Sequence, residues 1–247
     1  MAHEFDLRKQ ITLEATPEQV WEAIATGPGQ DAWFMGRNEV EPRPGGVTRQ
    51  HVGGHAEEGV VTAWEPPRRF AFRGGADGAF MACEFIVEGR ERGSTVLRMV
   101  QSGVLGDDWD TEYDALNRGW DLYLHTLEQY LTHFTGRRAA VIFGARPAEE
   151  GGVPVWPVLE RGLGITGPLS PGDRVRLTPE GLDPIDGVVD YARPDFLGVR
   201  TEDALYRFIR GMHDTLVIGH HVFDHAGRAD PAELEQAWND WLAKIFC

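Results

Sequence analysis

Cysteine is scarce in this chain, and long apolar runs are missing. Only Cys83 and Cys247 occur among the 247 residues, and one of them is terminal. Two cysteines so far apart do not form a disulfide framework, so we expect a reducing, cytoplasmic location. No unbroken apolar run approaches the roughly 20 residues that span a bilayer, and the N-terminus lacks the basic and apolar segments of a signal peptide. The sequence therefore predicts no membrane segment.

Basic residues are outnumbered as well. The chain has 24 lysine and arginine residues against 39 aspartate and glutamate residues, which gives a formal net charge of −15. Such a surface repels phosphate backbones and anionic lipids, so we expect neither nucleic acid nor a membrane as a partner. Apolar residues make up 42% of the chain, which is enough to build a core, and the length allows one large domain or two small ones.

In the first half of the chain, apolar and polar residues alternate in the pattern of an antiparallel sheet with one apolar face. Strands are predicted at 5–14, 37–40, 46–51, 59–64, 69–73, 80–89 and 94–102, with glycine and proline in many of the turns between them. A helix is predicted to begin at Thr16–Glu18 and to end at Gly27–Gly29, and a short helical turn is predicted to carry Trp33 and Phe34. One apolar face implies that the sheet is covered on one side only.

One long amphipathic helix is predicted to cover that face. Residues 110–134 contain no proline and a single glycine, and their apolar positions repeat at steps of three and four: Leu116, Trp120, Tyr123, Leu127, Tyr130 and Phe134. Such a helix is about 37 Å long at 1.5 Å per residue. A curved antiparallel sheet wrapped around a long C-terminal helix is an α+β, helix-grip fold. The space between sheet and helix is then either a cavity or a filled core.

Four segments of the first half occur in an order typical of one known family. They are 15–21 (ATPEQVW), 64–70 (WEPPRRF), 94–99 (STVLRM), and Gly119-Trp120 followed by Leu124, Leu127 and Leu131. Together they resemble the family named for the activator of the heat-shock-protein-90 ATPase, within the START and birch-pollen-allergen superfamily. The resemblance covers about the first 135 residues and implies the helix-grip fold. It does not choose a function, because the superfamily includes lipid and hormone carriers, polyketide cyclases and chaperone activators.

The second half repeats the same order of elements in shortened form. An apolar strand at 139–145 and a helix at 153–163 precede five predicted strands, and Asp230-Pro231 begins a last helix. Leu234, Trp238 and Leu242 repeat the spacing of Leu116, Trp120 and Leu124. We therefore predict two domains, a START-like helix-grip domain at 1–136 and a degenerate, duplicated copy at 137–247. The alternative is an unrelated extension packed on the first domain.

No catalytic or metal-binding constellation is recognisable in the sequence. The densest histidine group is His213, His220, His221 and His225, but adjacent strand residues face opposite ways, and metal ligands must converge. The acidic residues between Asp107 and Asp114 are interpreted as favourable neighbours of a helix N-terminus. Phosphate-binding loops, nucleophile elbows and zinc helices are absent from the sequence. We therefore predict no catalytic residue, no metal and no cofactor.

Aromatic residues are the more informative set, because the chain contains eight tryptophans. Tryptophan and tyrosine combine an apolar face with one polar group, which suits a hydrophobic ligand with a few oxygens. The predicted ligand-binding residues are Trp33, Trp64, Phe72, Phe85, Leu97, Gln101, Leu116, Trp120 and Tyr123. Gln101 shares the face of Leu97, so a buried amide there needs a partner.

Three functions are compatible with this sequence pattern. The leading hypothesis is a protein that binds a small hydrophobic or amphipathic molecule between sheet and helix. The second is a protein-interaction or chaperone-cofactor module with a protein partner. The third is a cyclase- or hydrolase-type enzyme, for which the sequence offers no inward-facing titratable residue.

Overall fold

A computed structural model describes residues 3–75, 80–148, 152–223 and 230–246 of the chain. The chain divides into two compact units, a first unit at Met1–Arg138 and a second unit at Ala139–Cys247. Within the described ranges, no helix is both long enough and apolar enough to cross a membrane.

The first unit is a seven-stranded antiparallel sheet with its helices on one face. Its elements are β1 (His3–Leu13), α1 (Pro17–Ala25), α2 (Gly27–Gln30), β2 (Arg37–Val40), β3 (Val47–Val52), β4 (His55–Glu65), β5 (Arg69–Gly74), β6 (Met81–Gly89), β7 (Thr95–Leu105) and α3 (Trp109–His133). The strand order is β1-β7-β6-β5-β4-β3-β2, so the first strand pairs with the last and the others form a meander. The helix-grip fold predicted for this half is confirmed.

The start of α1 follows from its sequence. The Thr16 hydroxyl accepts a hydrogen bond from the Gln19 backbone N–H at 3.3 Å, and the Gln19 side chain accepts one from the Thr16 N–H at 2.9 Å. This capping box satisfies two N–H groups that the helix leaves unpaired. The helical turn predicted to carry Trp33 and Phe34 continues α2, since the N–H groups of both residues donate to the Gln30 carbonyl, at 3.1 and 2.8 Å. Pro28 is tolerated in the first turn of α2, where its missing N–H costs nothing.

The two faces of the first sheet differ in chemistry. The inner face lies against α1 and α3, whereas the outer face carries ion pairs such as Arg69 Nε to Glu84 Oε1 at 2.6 Å. At the edge of the inner face, Lys9 Nζ reaches Asp121 Oδ1 at 2.5 Å and ties β1 to α3. The polar and apolar alternation read from the sequence thus corresponds to the two faces.

The second unit is a six-stranded antiparallel sheet with two helices. Its elements are β8 (Ala139–Pro147), α4 (Val155–Leu163), β9 (Arg174–Leu177), β10 (Ile185–Arg193), β11 (Phe196–Arg200), β12 (Ala204–Gly211), β13 (Thr215–Phe223) and α5 (Pro231–Ile245). The strand order β8-β13-β12-β11-β10-β9 again pairs the first strand with the last. The connectivity of the first unit is therefore repeated with one strand and the short helix omitted. Trp238 and Leu242 of α5 are buried, in line with the predicted spacing.

A buried ion pair crosses the middle of the second sheet. Asp190 occupies a bulge in β10, and both of its carboxylate oxygens accept hydrogen bonds from Arg207 of β12, at 3.0 and 2.7 Å. The pair spans Gly198 of β11, where an added Cβ would lie 2.8 Å from Arg207 Nη1 and 2.9 Å from Asp190 Oδ1. The two side chains are only 2% and 4% exposed, so each charge depends on the other for compensation.

The second core also contains a buried histidine. The Arg207 backbone N–H donates to His220 Nδ1 at 3.1 Å, so the neutral ring carries its proton on Nε2. The rings of Tyr206, Phe208 and Trp238 surround it, with centroids 4.5 to 5.0 Å away. Burial, and then the neighbouring His221 and Arg207, lower the pKa of His220 well below its ordinary value of 6.5. The imidazole is therefore neutral in the folded protein at pH 7.

We predict that Asp190→Ala destabilises the second unit by about 3–5 kcal/mol, because it removes the carboxylate that accepts two hydrogen bonds from the buried Arg207 guanidinium. The free energy of unfolding is measured by hydrogen exchange and mass spectrometry in urea, on peptides from β10 and β12. The matched control is Asp186→Ala, since Asp186 forms an exposed pair with Arg176 and its loss costs at most about 1 kcal/mol. Equal losses in the two variants would contradict the prediction.

We predict that the second unit loses stability as the pH falls through the unfolded-state pKa of His220. Below pH 6.5, His220 binds a proton in the unfolded chain but not in the folded protein, where its ring is buried. The free energy of unfolding therefore drops by up to about 1.4 kcal/mol per pH unit. The same exchange experiment between pH 7.5 and 5.0 measures the slope. His220→Gln, which does not titrate, is expected to flatten it by about one proton, and an unchanged slope would refute the assignment.

Candidate functional site

A cavity of about 620 Å³ lies in the first unit, between the inner face of the sheet, the turn after α2, and α3. Its wall is mostly aromatic at one side and mostly polar at the other. The described lining residues are Gln30, Trp33, Phe34, Asn38, Thr48, Arg49, Gln50, Glu57, Glu58, Gly59, Phe72, Gly74, Gly75, Met81, Phe85 and Trp120.

Trp120 forms the aromatic side of the cavity together with residues from the sheet and the turn after α2. Its indole stacks on Phe34 with centroids 5.4 Å apart and meets Phe85 of β6 edge-on at 6.0 Å. Its Nε1 donates to Gln101 Oε1 of β7 at 2.6 Å. The ring is thus held both by packing and by one hydrogen bond, and its orientation is fixed.

The polar side of the cavity comes from β2, β3 and β4. Strand pairing sets Asn38 opposite Gln50 and Gln50 opposite Glu57, so these three side chains share the inner face. Arg49 falls on the outer face by alternation, where its guanidinium donates to Glu58 at 2.6 Å and to Glu39 at 3.4 Å. The inner row therefore contains two amides and one carboxylate.

Four of the predicted ligand-binding residues line the cavity: Trp33, Phe72, Phe85 and Trp120. Two more support the wall from behind. Gln101 accepts the hydrogen bond from Trp120, and Tyr123 packs edge-on against Phe34 at 4.9 Å.

The structure places the other three predicted residues outside the described lining. Trp64 packs edge-on against Trp21 of α1 at 5.1 Å, since α1 covers that end of the inner face. Leu97 is 1% exposed in the core, and Leu116 is half-buried on α3.

Sequence reasoning missed the polar lining residues. Gln30, Asn38, Thr48 and Gln50 lie on short elements with mixed composition, and no apolar alternation marks their inner face. Phe34, which also lines the cavity, was missing from the predicted ligand-binding residues as well. Its position directly after Trp33 was the signal that could have indicated it.

The histidine group gives no metal centre in the described residues. His220 is enclosed by aromatic rings and His213 is exposed, while His225 lies outside the described residues. Throughout the part of the chain that the structure describes, no three His, Cys, Asp or Glu side chains are grouped to hold a metal ion.

We predict that Gln101→Leu destabilises the first unit by about 1–3 kcal/mol, because the buried Trp120 N–H loses its acceptor. Urea unfolding followed by hydrogen exchange in peptides of α3 measures the change. Gln10→Leu is the control, since Gln10 accepts from Arg98 on the exposed face, and its loss costs about 0.5 kcal/mol or less. A loss for Gln101→Leu no greater than that of the control would show that the hydrogen bond contributes little.

Comparison with known proteins finds one family that is similar to the first unit. The family described as Activator of Hsp90 ATPase homolog 1-like protein matches residues 14–132, which is most of the first unit. No curated protein matches the chain.

Solved structures similar to the chain cover about half of it. A protein from Mesorhizobium loti is 23% identical over 53% of this chain and 98% of its own, with a TM-score of 0.48. A protein from Bacillus halodurans is 25% identical over 51% of this chain and 96% of its own, with a TM-score of 0.46. The Aha1 dimer from Colwellia psychrerythraea is 20% identical over 51% and 96%, with a TM-score of 0.42. Residues 14–132, which are just under half of the chain, are thus similar to the activator of Hsp90 ATPase homolog 1-like family.

Proposed function

We propose that the first unit binds a small hydrophobic or amphipathic molecule in the cavity between its sheet and α3. The observation that carries the proposal is the cavity of about 620 Å³ with aromatic rings at one side and polar groups at the other. Binding sites for small molecules are typically concave, mostly apolar and about 300–1,000 Å³ in volume, with a few polar groups that fix orientation.

The aromatic side supports an apolar ligand body. Trp33, Phe34, Phe72, Phe85 and Trp120 supply flat rings, and burying an apolar surface against them contributes about 25 cal/mol per Å². Both indole N–H groups already have acceptors, in the Ala23 carbonyl and Gln101, so these rings present apolar surface to the cavity. The wall is thus preformed rather than dependent on the ligand.

Two alternatives remain from the sequence. A protein-interaction or chaperone-cofactor role is suggested by the family description, but the large apolar side chains exposed in the described residues, Val60, Trp109 and Val153, lie on three different segments. An enzyme of cyclase or hydrolase type needs an ionisable group poised near pH 7. Burial raises the pKa of both the Cys83 thiol and the Tyr123 hydroxyl, so neither serves as a base there.

We predict that Thr48→Trp abolishes binding of apolar ligands, because it fills the cavity from its half-buried polar rim. Quenching of tryptophan fluorescence by a panel of lipids, flavonoids and polyketides identifies ligands of the native chain, and isothermal titration calorimetry compares the variants. An affinity loss of at least about 100-fold is expected.

The control for this experiment is Thr62→Trp, which adds the same bulk at an exposed position of β4. Its affinity is expected to match that of the native chain. The proposal is overturned if no member of the panel binds, or if both variants bind as the native chain does.

A further inference from the structure

The three amide side chains that line the cavity all turn their nitrogen atoms away from it. Gln30 Nε2 donates to the Ile24 carbonyl at 2.8 Å, and Gln50 Nε2 donates to the Met35 carbonyl at 2.9 Å. Asn38 Nδ2 also lies 3.3 Å from the Met35 carbonyl. Because a carbonyl oxygen can only accept, the nitrogen of each amide must be the atom that faces it. The amide oxygens are therefore the atoms left for the cavity.

Those oxygens have no donor within the described residues. Gln30 Oε1, Asn38 Oδ1 and Gln50 Oε1 accept no hydrogen bond from any residue of the described ranges. Gln30 is 9% exposed and Asn38 is 8% exposed, so two of the three acceptors belong to side chains that are more than nine-tenths buried. An acceptor that has no protein donor is available to a bound molecule that donates a hydrogen bond to it.

The two indole donors of the cavity wall, by contrast, are already used. Trp33 Nε1 donates to the Ala23 carbonyl at 2.9 Å, and Trp120 Nε1 donates to Gln101 at 2.6 Å. Among the described lining residues, the Thr48 hydroxyl is the uncharged side-chain donor that no hydrogen bond engages. A ligand that offers only acceptors would find few partners in such a wall.

Charge favours the same kind of ligand. Glu57 shares the inner face with Gln50, whereas the one cationic residue of the described lining, Arg49, is compensated on the outer face by Glu58 and Glu39. An anionic head group would approach Glu57 without a free cation to offset the repulsion. A cationic head group meets Glu57, three amide oxygens and the faces of the neighbouring aromatic rings.

We propose that the cavity selects an amphipathic molecule whose head group is a protonated amine, and that it discriminates against carboxylates and phosphates. This inference rests on the proposed ligand-binding function and specifies its substrate class. The amine would donate to the Gln30, Asn38 and Gln50 oxygens, and the apolar body would lie on Phe34 and Trp120.

Three probes of matched shape test the proposal: 2-(1-naphthyl)ethylamine, 2-(1-naphthyl)ethanol and 1-naphthylacetate. Isothermal titration calorimetry on the full chain at pH 7 is expected to give the affinity order amine, alcohol, carboxylate. The amine should bind at least about tenfold more tightly than the carboxylate, because hydrogen bonds to charged groups are the stronger ones. Carboxylate binding equal to or tighter than amine binding overturns the inference, and so does an alcohol that binds more tightly than the amine.

Two charge-reversal variants test whether the preference for an amine comes from Glu57 on the inner face or from the net charge of the chain. Glu57→Lys, on the inner face, should weaken the amine and strengthen the carboxylate by about tenfold each. Glu4→Lys changes the charge equally at an exposed position of β1 outside the described cavity lining, and it should leave the order of affinities unchanged. Equal effects of the two reversals would attribute the preference to net charge and overturn the inference.

The failures of the two proposals are distinguishable. If apolar molecules of the wider panel bind and Thr48→Trp blocks them, the cavity is a binding site whatever the order of the three probes. If neither the panel nor any of the probes binds the native chain, the ligand-binding function fails and the amine preference fails with it.

Discussion

The contact between α3 and the inner face of the first sheet is the constraint on which the first unit depends. Trp120 carries much of it, since it stacks on Phe34, meets Phe85 edge-on and donates to Gln101. A helix laid on a twisted sheet cannot touch every strand equally. Aromatic and aliphatic side chains close the gap at the β5–β7 side, and the gap left beside β2–β4 is the cavity.

The polar rim follows from the position of its strands. β2 and β3 are short and lie at the end of the sheet opposite β1, so their inner face contributes Asn38, Thr48 and Gln50 to the cavity instead of apolar side chains. Their amide nitrogens satisfy backbone carbonyls of the loop that carries Trp33, and this arrangement stiffens the loop. The same hydrogen bonds that build the wall thus also determine that it presents acceptors.

The second unit shows how the same connectivity can be used to fill a core. Its terminal helix also presents a tryptophan, Trp238, but this ring packs against His220 and Trp241 at 4.5 and 5.3 Å. Asp190 and Arg207 add a buried charge pair in the sheet itself. The second unit thus buries its polar groups within its core and sheet, whereas the first unit places polar side chains along a cavity.

The fold of the first unit could be predicted from the sequence. Alternation in residues such as Met81, Cys83, Phe85 and Val87, and the stepwise repeat around Trp120, are local patterns that report which side of an element is buried. The repeat of Leu234, Trp238 and Leu242 indicated a second copy of the plan for the same reason, and the strand order of the second unit follows it.

The lining of the cavity could be predicted from the sequence only in part. Trp33, Phe72, Phe85 and Trp120 could be named, because large aromatic residues on an apolar face point inward. The sequence could not show that Trp64 is covered by α1, or that Arg207 meets Asp190 across Gly198. It also could not show which atom of Gln30 or Gln50 faces the cavity. Periodicity is a property of neighbours along the chain and determines faces, whereas cavities, ion pairs and free acceptors depend on atoms from distant segments, which only the tertiary structure brings together.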